Sequence, residues 1–324
     1  MRSGEGSARE TRRAGRKQLE GSAPVIGKKS PGLEPRATAL ENVPGPALER
    51  FRVCYARRMR DKVVVITGAS GGIGAALAVR VSHAGGRPVL VARRETELSQ
   101  VRERCGEGAL AVVADVSRRE NVQRVMDEAL ARNGRVDVWV NNVGRGITRP
   151  VSQLTDDDVN QMMQVNLLSA LYGMQVALAH FKPRRRGHII NVSSMLSRVP
   201  YVPWRSAYSA AKHALNALTT CLRVELRAEF PEIHVTTVSP GVVATEFGVH
   251  ALGGGPDSRA LPNTQPVEEV AEAIAGVIER PRADVYTRPA YHEMVAGYFS
   301  AEDMAEAESR PPFPALRLPE GSAR

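Results

Sequence analysis

Tyr208 and Lys212 stand four residues apart in Ser206–Glu229, a stretch whose apolar spacing predicts a helix, so both side chains project from one face a turn apart. That is the arrangement a tyrosine acid needs. A free phenol has a pKa near ~10 and exchanges protons poorly at neutral pH; an ammonium beside it favours the phenolate and draws the value down. Two serines, Ser193 and Ser194, end the apolar run His188–Val192 upstream. Asn166 falls mid-way along the predicted helix Asp156–Phe181, an unfavourable place because its side chain competes for backbone hydrogen bonds. The pattern suits proton transfer to or from an oxygen.

These residues need a scaffold, and the chain writes one as alternating strands and helices. Val63–Ile66 is apolar without alternation, as in a strand buried on both faces of a parallel sheet. Gly68, Gly72 and Gly74 follow, where side chains would block a tight turn, the approach of a pyrophosphate, or helix-against-strand packing. A helix then begins at Ile73, and its free N–H groups would face anionic phosphates. Further strands are predicted at Arg87–Ala92, Ala109–Val113, Val136–Val140, His188–Val192, Ile233–Val238 and Asp284–Thr287. Helices at Glu95–Arg104, Arg118–Arg132, Asp156–Phe181, Ser206–Glu229 and Val267–Glu279 separate them. Such alternation predicts an α/β fold of Rossmann type, a doubly wound parallel seven-stranded sheet with helices on both faces, in a single domain.

The spacing Thr67-Gly68-x-x-x-Gly72-x-Gly74, together with Asn141-Asn142-Val143-Gly144, Asn191-Val192-Ser193-Ser194 and Tyr208-x-x-x-Lys212, resembles the short-chain dehydrogenase/reductase (SDR) family across residues 61–288. The resemblance implies a catalytic tetrad of Asn166, Ser194, Tyr208 and Lys212, with Ser194 chosen over Ser193 as the second serine of the motif. In that reading Ser194 holds the substrate oxygen, Tyr208 is the general acid/base, Lys212 also holds the nicotinamide ribose, and Asn166 holds a water that relays protons from Lys212. Ser70 and Ile73 in the glycine-rich turn would join the glycines on the cofactor. Asp115 and Val116 resemble the family's adenine-contacting pair, Asn142 and Gly144 belong to its N-N-A-G segment, and Pro240, Gly241 and Thr245 resemble the segment that contacts the nicotinamide and its phosphates. Two departures are visible: Val143 replaces the usual Ala, and the interval from Ser194 to Tyr208 is one residue longer than usual.

Strand two ends in Arg93-Arg94, where an NAD-specific enzyme would place a carboxylate for the ribose 2′-hydroxyl. A guanidinium there can pair bidentately with a 2′-phosphate, so NADP(H) is the expected cofactor, with NAD(H) an alternative. No metal site is expected. The implied reaction interconverts a carbonyl and a secondary alcohol by hydride transfer. Apolar residues in 195–205 and in the glycine-rich 242–263 segment suggest a hydrophobic small-molecule substrate under a mobile lid. A catalytically silent dinucleotide sensor on the same fold is the competing reading, and it would be signalled by loss of Tyr208 or Lys212.

Charge narrows the alternatives. The formal net charge is +9, but residues 1–60 hold fourteen Lys/Arg and six Asp/Glu, leaving the rest of the chain near neutral. A basic nucleic-acid groove on the folded body is therefore not expected. Residues 1–58 read as a disordered basic extension, 59–288 as the cofactor-binding catalytic domain, and 289–324 as a C-terminal appendage or tail. Three scattered cysteines, Cys54, Cys105 and Cys221, suit a reducing, cytoplasmic setting, and no run of apolar residues predicts a membrane span. The two long helices resemble those that form homodimer and homotetramer interfaces in the family.

Overall fold

The computed structural model describes residues 59–313; the expectations for residues 1–58 and for 314–324 fall outside the described residues. Seven strands run in chain order: β1 (Val63–Thr67), β2 (Arg87–Ala92), β3 (Leu110–Val113), β4 (Val138–Asn141), β5 (Gly187–Val192), β6 (Ile233–Ser239) and β7 (Asp284–Tyr286). They pair in parallel in the order β3-β2-β1-β4-β5-β6-β7, so the chain reverses direction across the sheet between β1 and β4. Val64 lies opposite Pro88 on one side and Val138 on the other, which places β1 in the interior of the sheet.

Every residue of β1 is buried, as its unbroken apolar run requires. Val64 and Ile66 point into one layer with Leu77, Leu90, Ile190 and Ile274. Val63 and Val65 point into the other with Met126, Trp139, Met174 and Phe181. Helices α1 (Gly72–His83), α2 (Glu95–Cys105) and α7 (Val267–Glu279) supply the first layer; α3 (Arg119–Asn133), α5 (Ser169–Arg184) and α6 (Ser206–Leu226) supply the second. This is the expected doubly wound α/β sheet, covered on both faces.

One expected helix is built differently. Asp156–Phe181 divides into α4 (Asp156–Met163), a π-helical turn at Gln164–Leu168, and α5. Thr155 caps α4 by a reciprocal box: its hydroxyl accepts from the Asp158 N–H, and the Asp158 carboxylate accepts from the Thr155 N–H. The π turn inserts a wider ring into the ladder and carries Asn166. The helical stretch Asp156–Arg184 is long enough, and one 18-residue window of it apolar enough, to cross a membrane by composition, that window having a mean hydropathy of 1.2. Its Ala170, Met174, Ala177 and Phe181 are instead packed on the sheet.

After β7, residues 289–313 carry α8 (Pro289–Phe299) and the short α9 (Met304–Glu308). Both have largely exposed residues, but Tyr291 of α8 reaches back to the loop after β6. A Cβ on Gly241 would collide with the Tyr291 phenol oxygen. Gly241 donates its N–H to Gln265 Oε1 at 3.0 Å, and Gln265 in turn donates to Glu269, which is paired with Arg288 at 2.8 Å.

Candidate active site

The carboxyl ends of the central strands open into three adjoining cavities. The glycine-rich turn between β1 and α1 is the hub. Gly68 and Gly72 have φ of 69° and 54°, a region that penalises residues with a Cβ. Gly74 lies so close to the Gly68 carbonyl that a methyl group would not fit. Thr67 and Asn142 lock this turn to β4: Asn142 Nδ2 donates to the Thr67 carbonyl at 3.0 Å, and the Asn142 N–H donates to Thr67 Oγ1 at 2.9 Å. Asn142 thus braces the turn with its side chain.

On one side of the turn lies a cavity of about 500 Å³ lined by Gly68, Ser70, Arg93, Arg94, Asp115, Val116 and Gly144 among others. Asp115 Oδ1 accepts from the N–H and hydroxyl of Ser117, at 3.0 and 2.8 Å, and Arg118 rather than Asp115 occupies the cap position of α3. Arg94 leans over the turn, with Nε and Nη2 each 3.2 Å from Ser70 Oγ. Its surface ion pair with Glu97 at 3.1 Å leaves it exposed at the cavity mouth. Arg93 is exposed beside it. Below the turn, Gly72, Ile73, Asn142 and Thr245 line a second cavity of about 380 Å³, with Thr245 packed against Gly72.

The third cavity, about 330 Å³, holds Ser194 and Tyr208, two of the four residues expected to form the tetrad. Ser194, Tyr208, Pro240, Gly241 and Thr245 line it together with Leu196, Tyr201, Trp204, Arg205, Phe247 and Leu261. Tyr208 comes from the first turn of α6 and is 6% exposed. Ser194 hydrogen-bonds its phenol. Ser193 points elsewhere: its hydroxyl bonds Ser197 and Asn216 at 2.9 and 2.7 Å in a buried network. The extra residue between Ser194 and Tyr208 is absorbed in a loop that begins with a single 3-10 turn, Met195–Ser197.

Lys212, one turn along α6, is 3% exposed; its Nζ donates to the Val192 carbonyl at 2.9 Å and lies 6.0 Å from the Tyr208 ring centroid. Burial pushes its pKa down to about 8. Tyr208 is pushed above its ordinary value by burial, opposed by the Ser194 hydrogen bond and by the charge of Arg205. Arg205 is thus a second cation near the phenol, one that the spacing of Tyr208 and Lys212 gives no reason to single out. Its signal in the sequence was only a lone arginine three residues before the tyrosine.

Asn166 is placed by the π turn beside this group. Its Oδ1 accepts from the Arg145 N–H at 3.0 Å, and Nδ2 donates to the carbonyls of Arg145 and Met162 at 3.0 and 3.1 Å. Both amide protons are thereby used, so the side chain offers a water only the second lone pair of Oδ1. A Cβ on Gly144 would sit 3.2 Å from Asn166 Oδ1 and 3.7 Å from Lys212 Nζ, so loop, amide and ammonium converge.

The glycine cradle, the arginine at the end of β2 and the contiguous cavities fit an extended dinucleotide in shape and charge. Known proteins point the same way. Residues 62–251 match the family model for short chain dehydrogenase. An uncharacterized oxidoreductase, YxnA of Bacillus subtilis, is 34% identical over 236 residues, which cover 71% of this chain and 66% of that protein. Among solved structures, an alcohol dehydrogenase from Thermococcus sibiricus complexed with 5-hydroxy-NADP superposes with a TM-score of 0.62 at 29% identity, covering 72% of this chain and 98% of that one. A 3-ketoacyl-(acyl-carrier-protein) reductase from Brucella melitensis complexed with NADH gives 0.64 at 26% identity, covering 71% and 98%. With the family model spanning more than half its length, the chain belongs to the short-chain dehydrogenases and is an oxidoreductase of that family.

Proposed function

We propose that the protein is an NADP(H)-dependent reductase or dehydrogenase that interconverts a carbonyl and a secondary alcohol on a largely apolar small molecule. The observation that carries this reading is the convergence of Ser194 and Tyr208 on one apolar cavity that adjoins the glycine-rich turn, with Lys212 buried one helical turn along, 6.0 Å from the Tyr208 ring centroid. When bound, a nicotinamide dinucleotide supplies or takes up the hydride at the carbonyl carbon. Ser194 and Tyr208 hold the substrate oxygen, and Tyr208 gives or takes its proton. Lys212 keeps two ammonium protons beyond the one donated to Val192, and these would serve the ribose. Gly68, Ser70, Gly72 and Ile73 would cradle the pyrophosphate, Asp115 and Val116 the adenine, and Pro240, Gly241 and Thr245 the nicotinamide end. Arg94, reinforced by Arg93, would pair with the 2′-phosphate.

Titration with NADPH and NADH, followed by fluorescence, and then a carbonyl panel test the reading together. Tight NADPH binding with turnover is the expected result. Tyr208→Phe should retain NADPH affinity and lose at least about 100-fold in kcat, the usual scale of a general acid. Substantial retained turnover in that variant would remove Tyr208 as the proton donor.

The helices α5 and α6 are proposed to pair in a homodimer or homotetramer, since Leu218 and Val224 of α6 are 37% and 58% exposed. Light scattering should give a mass of two or four chains, and a monomer at micromolar concentration would contradict it.

A further inference from the structure

The cavity that holds Tyr208 has one charged residue in its lining, Arg205, and its charge is unbalanced. Arg205 is 8% exposed. Its Nη1 donates to the Ile147 carbonyl at 3.1 Å, while Nε and Nη2 have no hydrogen-bond partner among the described residues. No carboxylate pairs with it among those residues either. Its neighbour Arg149 makes the contrast plain: although less buried, it is paired with Asp158 at 2.9 Å.

The unpartnered nitrogens stay open to the cavity, and a guanidinium so largely withdrawn from water without a counter-charge is costly. One backbone carbonyl answers one of its five N–H groups. The rest of the fork lies among groups that offer no anion: Phe247, whose ring centroid is 5.9 Å from Cζ, and the glycines of the covering loop, where a Cβ on Gly255 would sit 3.1 Å from Nη2. A purely structural brace between 147 and 255 would be served by a neutral donor, which would avoid the cost of the charge. The same Phe247 ring stands 5.3 Å from the Tyr208 ring, so guanidinium and phenol share one aromatic neighbour within the cavity.

We infer that Arg205 is a substrate-recognition residue that binds a carboxylate, and that the substrate is an apolar oxo acid or hydroxy acid. The inference rests on the proposed carbonyl–alcohol chemistry for the identity of the reacting group. A carboxylate matches the fork geometry of the unused N–H groups, and one guanidinium balances one negative charge, which favours it over a doubly charged phosphate. The apolar remainder of the molecule would lie against Leu196, Trp204, Phe247 and Leu261, which surround the cavity. The reacting oxygen would meet Ser194 and Tyr208 at the other end.

The test uses two measurements on the full chain. In calorimetry, n-octanoate should bind at least about 10-fold more tightly than n-octanol, the difference a charge-assisted hydrogen bond makes. Arg205→Met should abolish that preference, and Arg205→Lys should keep part of it, since it restores the charge without the fork. NADPH affinity serves as the control that the variants are folded. In turnover, oxodecanoates with the oxo group at different carbons should be reduced with kcat/KM about 10- to 100-fold above their methyl esters, with the gap lost in Arg205→Met. Equal affinity of the wild-type protein for octanoate and octanol, or a preference that survives in Arg205→Met, overturns the inference. The two readings fail separately. Octanoate preference without turnover of any oxo compound leaves Arg205 as a carboxylate site and removes the reductase reading, whereas Tyr208-dependent turnover of acids and esters alike does the reverse.

Discussion

At the level of single residues, the site combines a phenol and an ammonium that burial drives in opposite directions. The Tyr208 phenol is raised and the Lys212 ammonium lowered to about 8, because burial penalises the charged form of each, and at neutral pH both still carry their proton. Helical spacing made this pair visible in the sequence, because residues four apart on a helix share a face whatever the tertiary context. Arg205 was not visible, because its isolation from carboxylates depends on what the loops near 147, 247 and 255 bring to it. Arg94 is legible in type but its reach is not: only the folded turn sets its guanidinium against Ser70. Replacing Arg93 and Arg94 by Ala should weaken NADPH about 10- to 100-fold while changing NADH much less, by parallel fluorescence titrations. Equal losses would show that neither arginine reads the 2′-phosphate.

Among the elements, the instructive one is the Asp156–Arg184 helix. Apolar periodicity foretold its start, and Asn166 was conspicuous as a poor helix residue. What periodicity could not convey is that the ladder widens at Gln164–Leu168, because a π turn shifts the phase by a single residue within an otherwise continuous pattern. There the amide is spent on the Arg145 peptide, holding the Gly144 loop against Lys212. Asn166→Ala should therefore lower turnover and weaken dinucleotide binding together, since both loop and ammonium lose their brace. A change in kcat with cofactor affinity untouched would favour a relay role over bracing. The strands were easier to read. Val63–Ile66 and Val267–Glu279 fall where the sequence puts them, because β-branched runs and a strongly amphipathic helix need little tertiary help. At β4, which starts at Val138 rather than Val136, the pairing partners set the edge.

For the molecule as a whole, the fold follows from alternation alone, and the consequences of burial add what alternation cannot. His188, at the start of β5, lies 4% exposed with Nε2 2.7 Å from Thr236 Oγ1. Burial, with the charges of His234 and Lys62 adding to it, drives its pKa down to about 3. The unfolded chain, with an ordinary histidine near ~6.5, binds a proton that the folded chain refuses between those values. Stability from this group is thus present above about pH 6.5 and falls by about 1.4 kcal/mol per pH unit as pH drops toward 3. Denaturant melts of His188→Gln across pH 3–7 should show a shallower acid slope than the wild-type chain; an identical slope would place the acid sensitivity elsewhere. The C-terminal residues teach a related lesson. Sequence marked 289–324 as an appendage, yet Tyr291 closes on Gly241 beside the site, a contact between segments fifty residues apart that no local pattern encodes.

Carbonyl–alcohol chemistry with an external hydride donor is tested most directly by isotope transfer. NADPH deuterated at C4 should be incubated with the purified chain and an oxodecanoate series, and the alcohols analysed by mass spectrometry. One deuterium bound to the carbinol carbon, with formation abolished in Tyr208→Phe, is the expected result. Tight NADPH binding with no labelled alcohol from any member of the series or its methyl esters would contradict it.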